Sequence, residues 1–243
     1  VVSPGGYGDR IGNAVAEGVS GTVYVAGMTD STTMPGKRMT VWKFNYDGTP
    51  DVSFGNQSGG GIFEHDIASV NGADIADAMV IDRQGRLLIA GKSNSGGSFD
   101  NWTNSMWRLL PGGTLDTSFN NAGFKTFGAW TGSLSVKNDV IELDSGKILV
   151  AGPDSSSGVG LWRFNQDGSD DTTFGNGGHV NVIGLQPGVV SLMIDDYGRI
   201  VISGKGIYGA EIHRLLADGS IDSSFNNGYV RYAGATFSDI ITT

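Results

Sequence analysis

An all-β chain built from repeated four-stranded antiparallel units is the fold class the sequence predicts, and three observations predict it. A stretch written VWKFNYDGTPDVSFGNQSGG at 41–60 returns as SMWRLLPGGTLDTSFNNAG at 105–123, GLWRFNQDGSDDTTFGNGG at 160–178 and EIHRLLADGSIDSSFNNG at 211–228. Its Phe residues, Phe54, Phe119, Phe174 and Phe225, stand 65, 55 and 51 residues apart, and self-similarity at ~50 residues marks stacked or radially arranged units that share a core. A second pattern precedes each copy: EGVSGTVYVAG (17–27), DRQGRLLIAG (82–91), LDSGKILVAG (143–152) and DDYGRIVISG (195–204). Finally, apolar residues alternate, and no apolar period of 3.6 persists for three turns, so almost no helix is expected.

The elements of one unit follow in order. The shorter pattern reads as a hairpin of strands A and B, with Gly21, Gly85, Gly146 and Gly198 supplying the positive φ of the turn. Strand C carries Trp42, Trp107, Trp162 or His213, and strand D is Ile62-Phe63, Phe124 to Phe127, Val180 to Ile183 or Tyr229 to Tyr232. Four short strands per ~50–60 residues make the blade of a β-propeller. The expected architecture is therefore a β-propeller of about four four-stranded antiparallel blades, one domain over 1–243 with repeats at about 7–66, 74–130, 134–184 and 187–234. Residues 235–243, ATFSDIITT, align with another strand A, with Asp239 at the Asp77 position, and Val1-Val2 align with the end of a strand D. They close the ring, or else a larger ring is completed by sequence absent here. A β-solenoid is the rival architecture, but its coils are shorter than these repeats.

Composition narrows the function classes. The 243 residues carry a net charge of −9, from 16 Lys and Arg against 25 Asp and Glu, without a basic run, which excludes a phosphate backbone as the expected partner. No stretch approaches the ~20 apolar residues of a membrane helix, so no membrane insertion is expected. The chain begins Val1-Val2 and reads as a processed chain or a piece of a longer one. Zero Cys is neutral between compartments. Low Lys with abundant Gly, Ser, Thr and Asn points to an extracellular place on a bacterial cell surface.

The repeated positions have structural readings. Each Phe should wedge between neighbouring blades. Three residues before it stands Asp51, Asp116, Asp171 or Asp222, whose carboxylate can cap turn N–H groups. Eight residues earlier again stands Lys43, Arg108, Arg163 or Arg214, so a repeated ion pair across the C–D connection is expected. The motif Asp-x-Ser/Thr-Phe-Gly/Asn, preceded by Asp-Gly and followed by Gly, resembles the bacterial delta-60 repeat. The opening GGYGDRIGNAVAEGVSGTVYVAGMT is similar to related bacterial repeats assigned to β-propellers. The resemblance covers nearly the whole chain, implies a propeller outside a bacterial cell, and supplies no catalytic residues. Asn120 and Asn226 stand where the other copies have Gly, and Asn tolerates the left-handed conformation.

A binding face is sought where the copies differ, because loops on a rigid scaffold carry recognition. The B–C connections at 28–39, 92–104, 153–159 and 205–210 vary, as do the D–A connections near 66–73, 128–136, 184–188 and 233–237. Phe99, Asp100, Asn101, Trp102, Trp130 and Tyr208 fall in them, and an aromatic flanked by Asp or Asn suits a sugar ring. The competing reading makes Trp102 and Trp130 lids over the blade edges or subunit contacts. Around the axis, Asn13, Asp77, Asn138 and Val190 occupy one repeat position. These would gather a water cluster rather than a metal, since Ca²⁺ takes 6–8 oxygens with several charged ligands.

No cofactor is expected. Calcium is a weak alternative at Asn45-x-Asp47-Gly48-x-x-Asp51 and Asn165-x-Asp167-Gly168-x-x-Asp171, because Leu110, Gly112 and Leu216 replace ligands in the other copies without changing the motif. Familiar catalytic motifs are missing, and His65, His179 and His213 sit in strand positions, so the chain is expected not to be an enzyme. Asp30, Asp77, Asp100 and Asp154 keep a polysaccharide hydrolase or lyase as a lesser alternative. The leading expectation is a surface or fibre-tip adhesion module that binds a glycan or cell-envelope component. A structural or homo-oligomerising scaffold is the runner-up.

Overall fold

The computed structural model describes residues 7–31, 36–57, 60–67, 72–94, 101–132, 135–155, 158–188 and 190–234. The first sheet holds β1 (Tyr7–Glu17), β2 (Val23–Ser31), β3 (Lys37–Phe44) and β4 (Ile62–His65); the second holds β5 (Ala73–Ile81), β6 (Leu87–Asn94), β7 (Asn101–Leu109) and β8 (Phe124–Thr131). The third is β9 (Asp139–Glu142), β10 (Ile148–Asp154), β11 (Gly158–Phe164) and β12 (His179–Val182), and the fourth is β13 (Ser191–Ile194), β14 (Ile200–Gly206), β15 (Gly209–Leu215) and β16 (Tyr229–Ala233). Each is an antiparallel meander, and one parallel bridge, Lys37 to Ala73, joins the first two. Among the described residues the helical content is two 3₁₀ turns, Val19–Gly21 and Asn226–Gly228. Among the same described residues no helix is long and apolar enough to cross a membrane. The expected blade therefore stands, strand for strand.

The hairpin glycines adopt the conformation the turn demands, with Gly85 at φ 76° and Gly146 at 77°. Asn120 and Asn226 take φ 50° and 45°, as the substitution of Asn for Gly implies. The inner strands β1 and β5 are bulged, between Gly12 and Ala14 and between Ala76 and Ala78. The bulge lays the carbonyl of Ile11 over Gly27 and that of Ile75 over Gly91, leaving no room for a Cβ. This explains the glycine that ends the apolar run of the second hairpin strand.

The chain divides into two compact units, Val1–Phe127 and Gly128–Thr243, the division falling inside β8. In the first, Tyr24, Met39, Val41, Phe54, Ile89 and Trp107 are among the buried core side chains. In the second, Leu149, Leu161, Phe174, Leu192 and Ile202 have the same role. The wedge role of the repeated Phe is visible inside each unit. Phe54, 1% exposed, lies so close to the next repeat that a Cβ on Gly113 would stand 2.8 Å from its ring, and the Gly55 N–H donates to the Gly112 carbonyl at 3.1 Å. In the second unit a Cβ on Gly219 would stand 2.8 Å from the Phe174 ring, and the Gly175 N–H donates to the Asp218 carbonyl at 2.9 Å.

The expected ion pair forms in every copy. Lys43 meets Asp51 at 2.9 Å, Arg108 meets Asp116 at 2.8 Å, Arg163 meets Asp171 at 2.5 Å and Arg214 meets Asp222 at 2.7 Å. The other carboxylate oxygen accepts from the Ser or Thr two residues on, as Asp116 does from the Ser118 hydroxyl at 2.7 Å. Each cation also lies over its repeat's Phe: Arg108 is 4.8 Å from the Phe119 centroid, Arg163 4.5 Å from Phe174 and Arg214 4.4 Å from Phe225. A second base, just after the hairpin glycine, reaches the same carboxylate: Arg86 to Asp116 at 3.4 Å, Lys147 to Asp171 at 2.8 Å, Arg199 to Asp222 at 3.8 Å. One carboxylate thus ties the inner hairpin, the third strand and the wedge together.

These carboxyls are held below their ordinary range. The Ser53 hydroxyl, then Lys43, brings Asp51 from 3.8 to about 2. At Asp116 and Asp171 burial pushes upward but is outweighed by the hydroxyls and bases around them, and at Asp222 the Ser224 hydroxyl leads the lowering. A depressed folded value means that the unfolded chain binds more protons at acid pH. The stabilisation is complete above the unfolded value, near 3.8, and is lost as pH falls through about 2. The thermal midpoint, followed by circular dichroism, should be flat from about pH 7 to 5 and fall steeply below about pH 4. A midpoint insensitive to acid would show that the four carboxylates are not coupled to folding.

Candidate functional site

Each predicted ligand residue was placed in a varying connection, and the strands run further than those boundaries allow. Trp102 belongs to β7 and Trp130 to β8, and they are 1% and 3% exposed. This corrects the expectation of exposed aromatics there. β6 and β7 stay paired as far as Ser93–Thr103, and the Asn94 side-chain amide donates to the Asn101 carbonyl at 2.7 Å, which holds the segment around Trp102 against the sheet. Neither ring offers a stacking surface. Asn101 is exposed, Tyr208 is 68% exposed in the turn between β14 and β15, and Phe99 and Asp100 lie outside the described residues.

The axial candidates serve as local ties. Asn13, in the β1 bulge, donates its amide to the Ala76 carbonyl at 2.8 Å and joins the first sheet to the second. Asp77, in the β5 bulge, accepts from the Lys92 ammonium at both carboxylate oxygens, each at 2.9 Å, a pair with 0% side-chain exposure on either side. An ammonium thus occupies the place where a cation had been considered at Asp77. Asn138 is buried beside β9 in the second unit, where the adjacent Asp139 carboxylate accepts the Leu192 N–H at 2.7 Å and joins the third sheet to the fourth. In the two turns considered for calcium, Asp47 and Asp167 accept from the Thr49 and Ser169 hydroxyls at 2.6 Å.

Polar groups converge elsewhere, on the sheet face that carries the third-strand aromatic. In the third sheet Gly158 and Gly160 leave a gap across which Asp154 reaches the outer strand. Its Oδ2 accepts from the Asn181 amide at 3.0 Å and lies 3.1 Å from His179 Nε2, while His179 stacks on Trp162 at 4.9 Å. In the fourth sheet Glu211, 0% exposed, stands at the position of Gly160. His213 Nε2 lies 3.0 Å from its Oε2 and Arg231 Nε donates to Oε1 at 2.6 Å. Burial pushes His213 down despite Glu211, so the ring is neutral at pH 7, with its Nε2 proton directed at the carboxylate. Gly184, at the end of the preceding sheet, fits against this pair: a Cβ there would stand 3.0 Å from Glu211 Oε2.

Outside that buried anchor the chemistry becomes a platform. Arg231 lies 5.1 Å from the Tyr208 ring and 5.5 Å from the Tyr229 ring, and His213 stacks on Tyr229 at 5.3 Å with an interplanar angle of 17°. Tyr208 and Tyr229 are 68% and 38% exposed. The result is two aromatic faces flanking a guanidinium that a buried carboxylate fixes in place. Sequence reasoning selected Tyr208 but missed its partners. The available signal was the fourth copy's departure from pattern, with His213 for Trp and Glu211 for Gly.

Four-stranded antiparallel sheets repeated along the chain define a β-propeller repeat protein. Residues 85–119, 144–174 and 198–225 match the family described as "Domain of unknown function (DUF5122) beta-propeller", covering three of the four copies of the motif. No curated protein matches the sequence. Among solved structures, a protein of unknown function from Dyadobacter fermentans DSM 18053 is similar at a TM-score of 0.53 and 13% identity, over 90% of this chain and 63% of that one. A mannose phosphorylase from Leishmania mexicana is similar at 0.43 and 13%, over 88% and 66%. A GH43 β-xylosidase/α-arabinofuranosidase from a compost microbial metagenome is similar at 0.41 and 12%, over 87% and 74%. The chain thus spans less than two thirds of the first protein's length. The expectation of a non-enzyme is corrected: a mannose phosphorylase and a β-xylosidase/α-arabinofuranosidase are among the structures this chain is similar to, and a fold does not fix function.

Proposed function

We propose that the protein binds carbohydrate, through the Tyr208–Arg231–Tyr229 platform, as a recognition module of the delta-60 type on a bacterial cell surface or fibre tip. The observation that carries the reading is an exposed aromatic pair flanking an arginine locked by fully buried Glu211. A pyranose stacks its apolar C–H face on such a ring, and the Arg231 Nη hydrogens supply donors for a hydroxyl or a carboxylate. Because Glu211 and His213 hold the arginine before any ligand arrives, little ordering cost remains for binding. The acidic surface and lack of a basic run fit a neutral or weakly anionic envelope glycan better than a nucleic acid.

A glycan array followed by titration calorimetry tests this. Binding to at least one envelope saccharide is expected, weakened about tenfold by Tyr208→Ala. Glu211→Gln should weaken it further by loosening Arg231. Saccharide binding that ignores both substitutions, or no binding across the array, would remove the platform from consideration.

A further inference from the structure

The slot that Glu211 and Arg231 share in the fourth sheet recurs in the others with different occupants. In the register of the third and outer strands, Glu211–Arg231 corresponds to Gly160–Asn181 in the third sheet and to Thr40–Glu64 in the first. Neither of those pairs an acid on the third strand with a base on the outer one, so the frame forms without such a pair. A fully buried carboxylate is costly unless it is paired and hydrogen-bonded, and Glu211 is 0% exposed. What it secures, and Gly160 and Thr40 do not, is the position of a guanidinium.

That guanidinium is only half committed. Arg231 donates through Nε to Glu211 Oε1 at 2.6 Å, while its Nη atoms make no hydrogen bond among the described residues. Glu211 has no oxygen left for a ligand, since Oε2 lies 3.0 Å from His213 Nε2. Toward solvent the platform therefore offers an Nη pair that can only donate, beside the hydroxyls of Tyr208 and Tyr229. Residues 205–213 and 229–234, which build it, contain Glu211 as their one acid against Lys205 and Arg231. A sugar hydroxyl brings a donor of its own that a guanidinium cannot accept, whereas a carboxylate brings two acceptors at the spacing of the fork.

On the reading that the platform binds saccharide, we propose that the sugar it selects is a uronic acid within an acidic polysaccharide. The Nη pair of Arg231 takes the carboxylate, and Tyr208 or Tyr229 takes the apolar face of the same sugar. The guanidinium lies 5.1 Å from one ring centre and 5.5 Å from the other, so a substituent at the edge of a stacked pyranose comes within its reach. Because Glu211 is buried and the Arg231 side chain is 35% exposed, an arriving anion meets the N–H hydrogens before the buried charge. The net charge of −9 opposes a polyanion, but that repulsion is screened beyond about 8 Å at physiological ionic strength, and the fork acts in contact. Every residue of the platform, with Gly184 fitted against its anchor, belongs to the second compact unit.

Titration calorimetry on the full chain decides between the sugars, using oligomers of galacturonate, glucuronate and mannuronate, each beside its carboxyl-reduced neutral counterpart. At least one acid is expected to bind at least ~10-fold more tightly than its neutral partner, and the margin should shrink as salt is raised to about 1 M. Arg231→Lys keeps a cation against Glu211, so folding should survive, with unchanged far-ultraviolet circular dichroism as the check. It lacks the planar fork, and the margin should fall to about threefold or less. Acid and neutral partners bound alike, both weakened by Tyr208→Ala, would overturn the uronate inference and leave the platform a saccharide site. An acid preference undiminished in Arg231→Lys would overturn the fork as its source. Failure of every acid to bind would overturn the inference as well, and would remove the saccharide reading with it only if the neutral glycans of the array also fail.

Discussion

Asp171→Ala is expected to lower the unfolding free energy by about 3–5 kcal/mol, read as a fall in the urea midpoint at unchanged slope. Asp171 is 3% exposed and accepts from Arg163 at 2.5 Å, Lys147 at 2.8 Å and the Thr173 hydroxyl at 2.7 Å. Removing the carboxylate leaves the Arg163 guanidinium, its side chain 11% exposed, desolvated without its counter-charge while it still covers the Phe174 ring. A buried charge deprived of its partner costs more than the pair contributed, because the desolvation of the remaining ion is no longer offset. Arg163 also donates to the Ala217 carbonyl of the next repeat, so the defect spreads across two sheets. The matching change at Asp222 should produce a smaller shift, since its repeat's Phe225 is only half-buried. Equal midpoints for Asp171→Ala and the parent would show the tie to be ornamental.

Gly91→Val should cost about 3 kcal/mol, at the upper end of what overpacking a core produces. The limit at Gly91 is space rather than backbone angle. Its Cα lies beneath the carbonyl oxygen of Ile75, which the bulge after Ala76 has swung inward, and backbone cannot move aside as a flexible side chain can. Relief requires β5 to lift from β6, and the same stretch holds the fully buried Asp77–Lys92 pair. Gly91→Ala should go the same way with a smaller loss. Urea denaturation of both variants checks the ranking. A valine variant as stable as the parent would mean that the bulge does not press on the second hairpin strand.

Much of the frame was legible because each of its devices is written four times. The hairpin glycines, the Asp-x-Ser/Thr-Phe spacing and the base eight residues before the Asp each name a contact whose geometry follows from side-chain length and strand register. The ion pair at 2.5 to 2.9 Å in every copy is the direct result. Arg86, Lys147 and Arg199 recur in three of the four copies, with Thr22 at that position in the first, and their reach from the hairpin to the Asp crosses strands and depends on sheet twist. Trp102 and Trp130 misled for a different reason: strand ends are set by whether neighbouring backbones keep pairing, and residue type alone left them in loops. The Glu211–His213–Arg231 cluster was hidden because it exists once, and a single departure from a repeat carries no periodic signal.

The latch of two bases and an aromatic on one carboxylate is assembled wholly from residues of a single repeat, as with Arg86, Arg108, Asp116 and Phe119. Modules two to four therefore each bring a two-base fastening of their own, the first a single base at Lys43, and length drift between copies is left to the connections that vary. Natural selection or an engineer can rewrite one such connection, or exchange one cassette for another, while the fastening stays as it was.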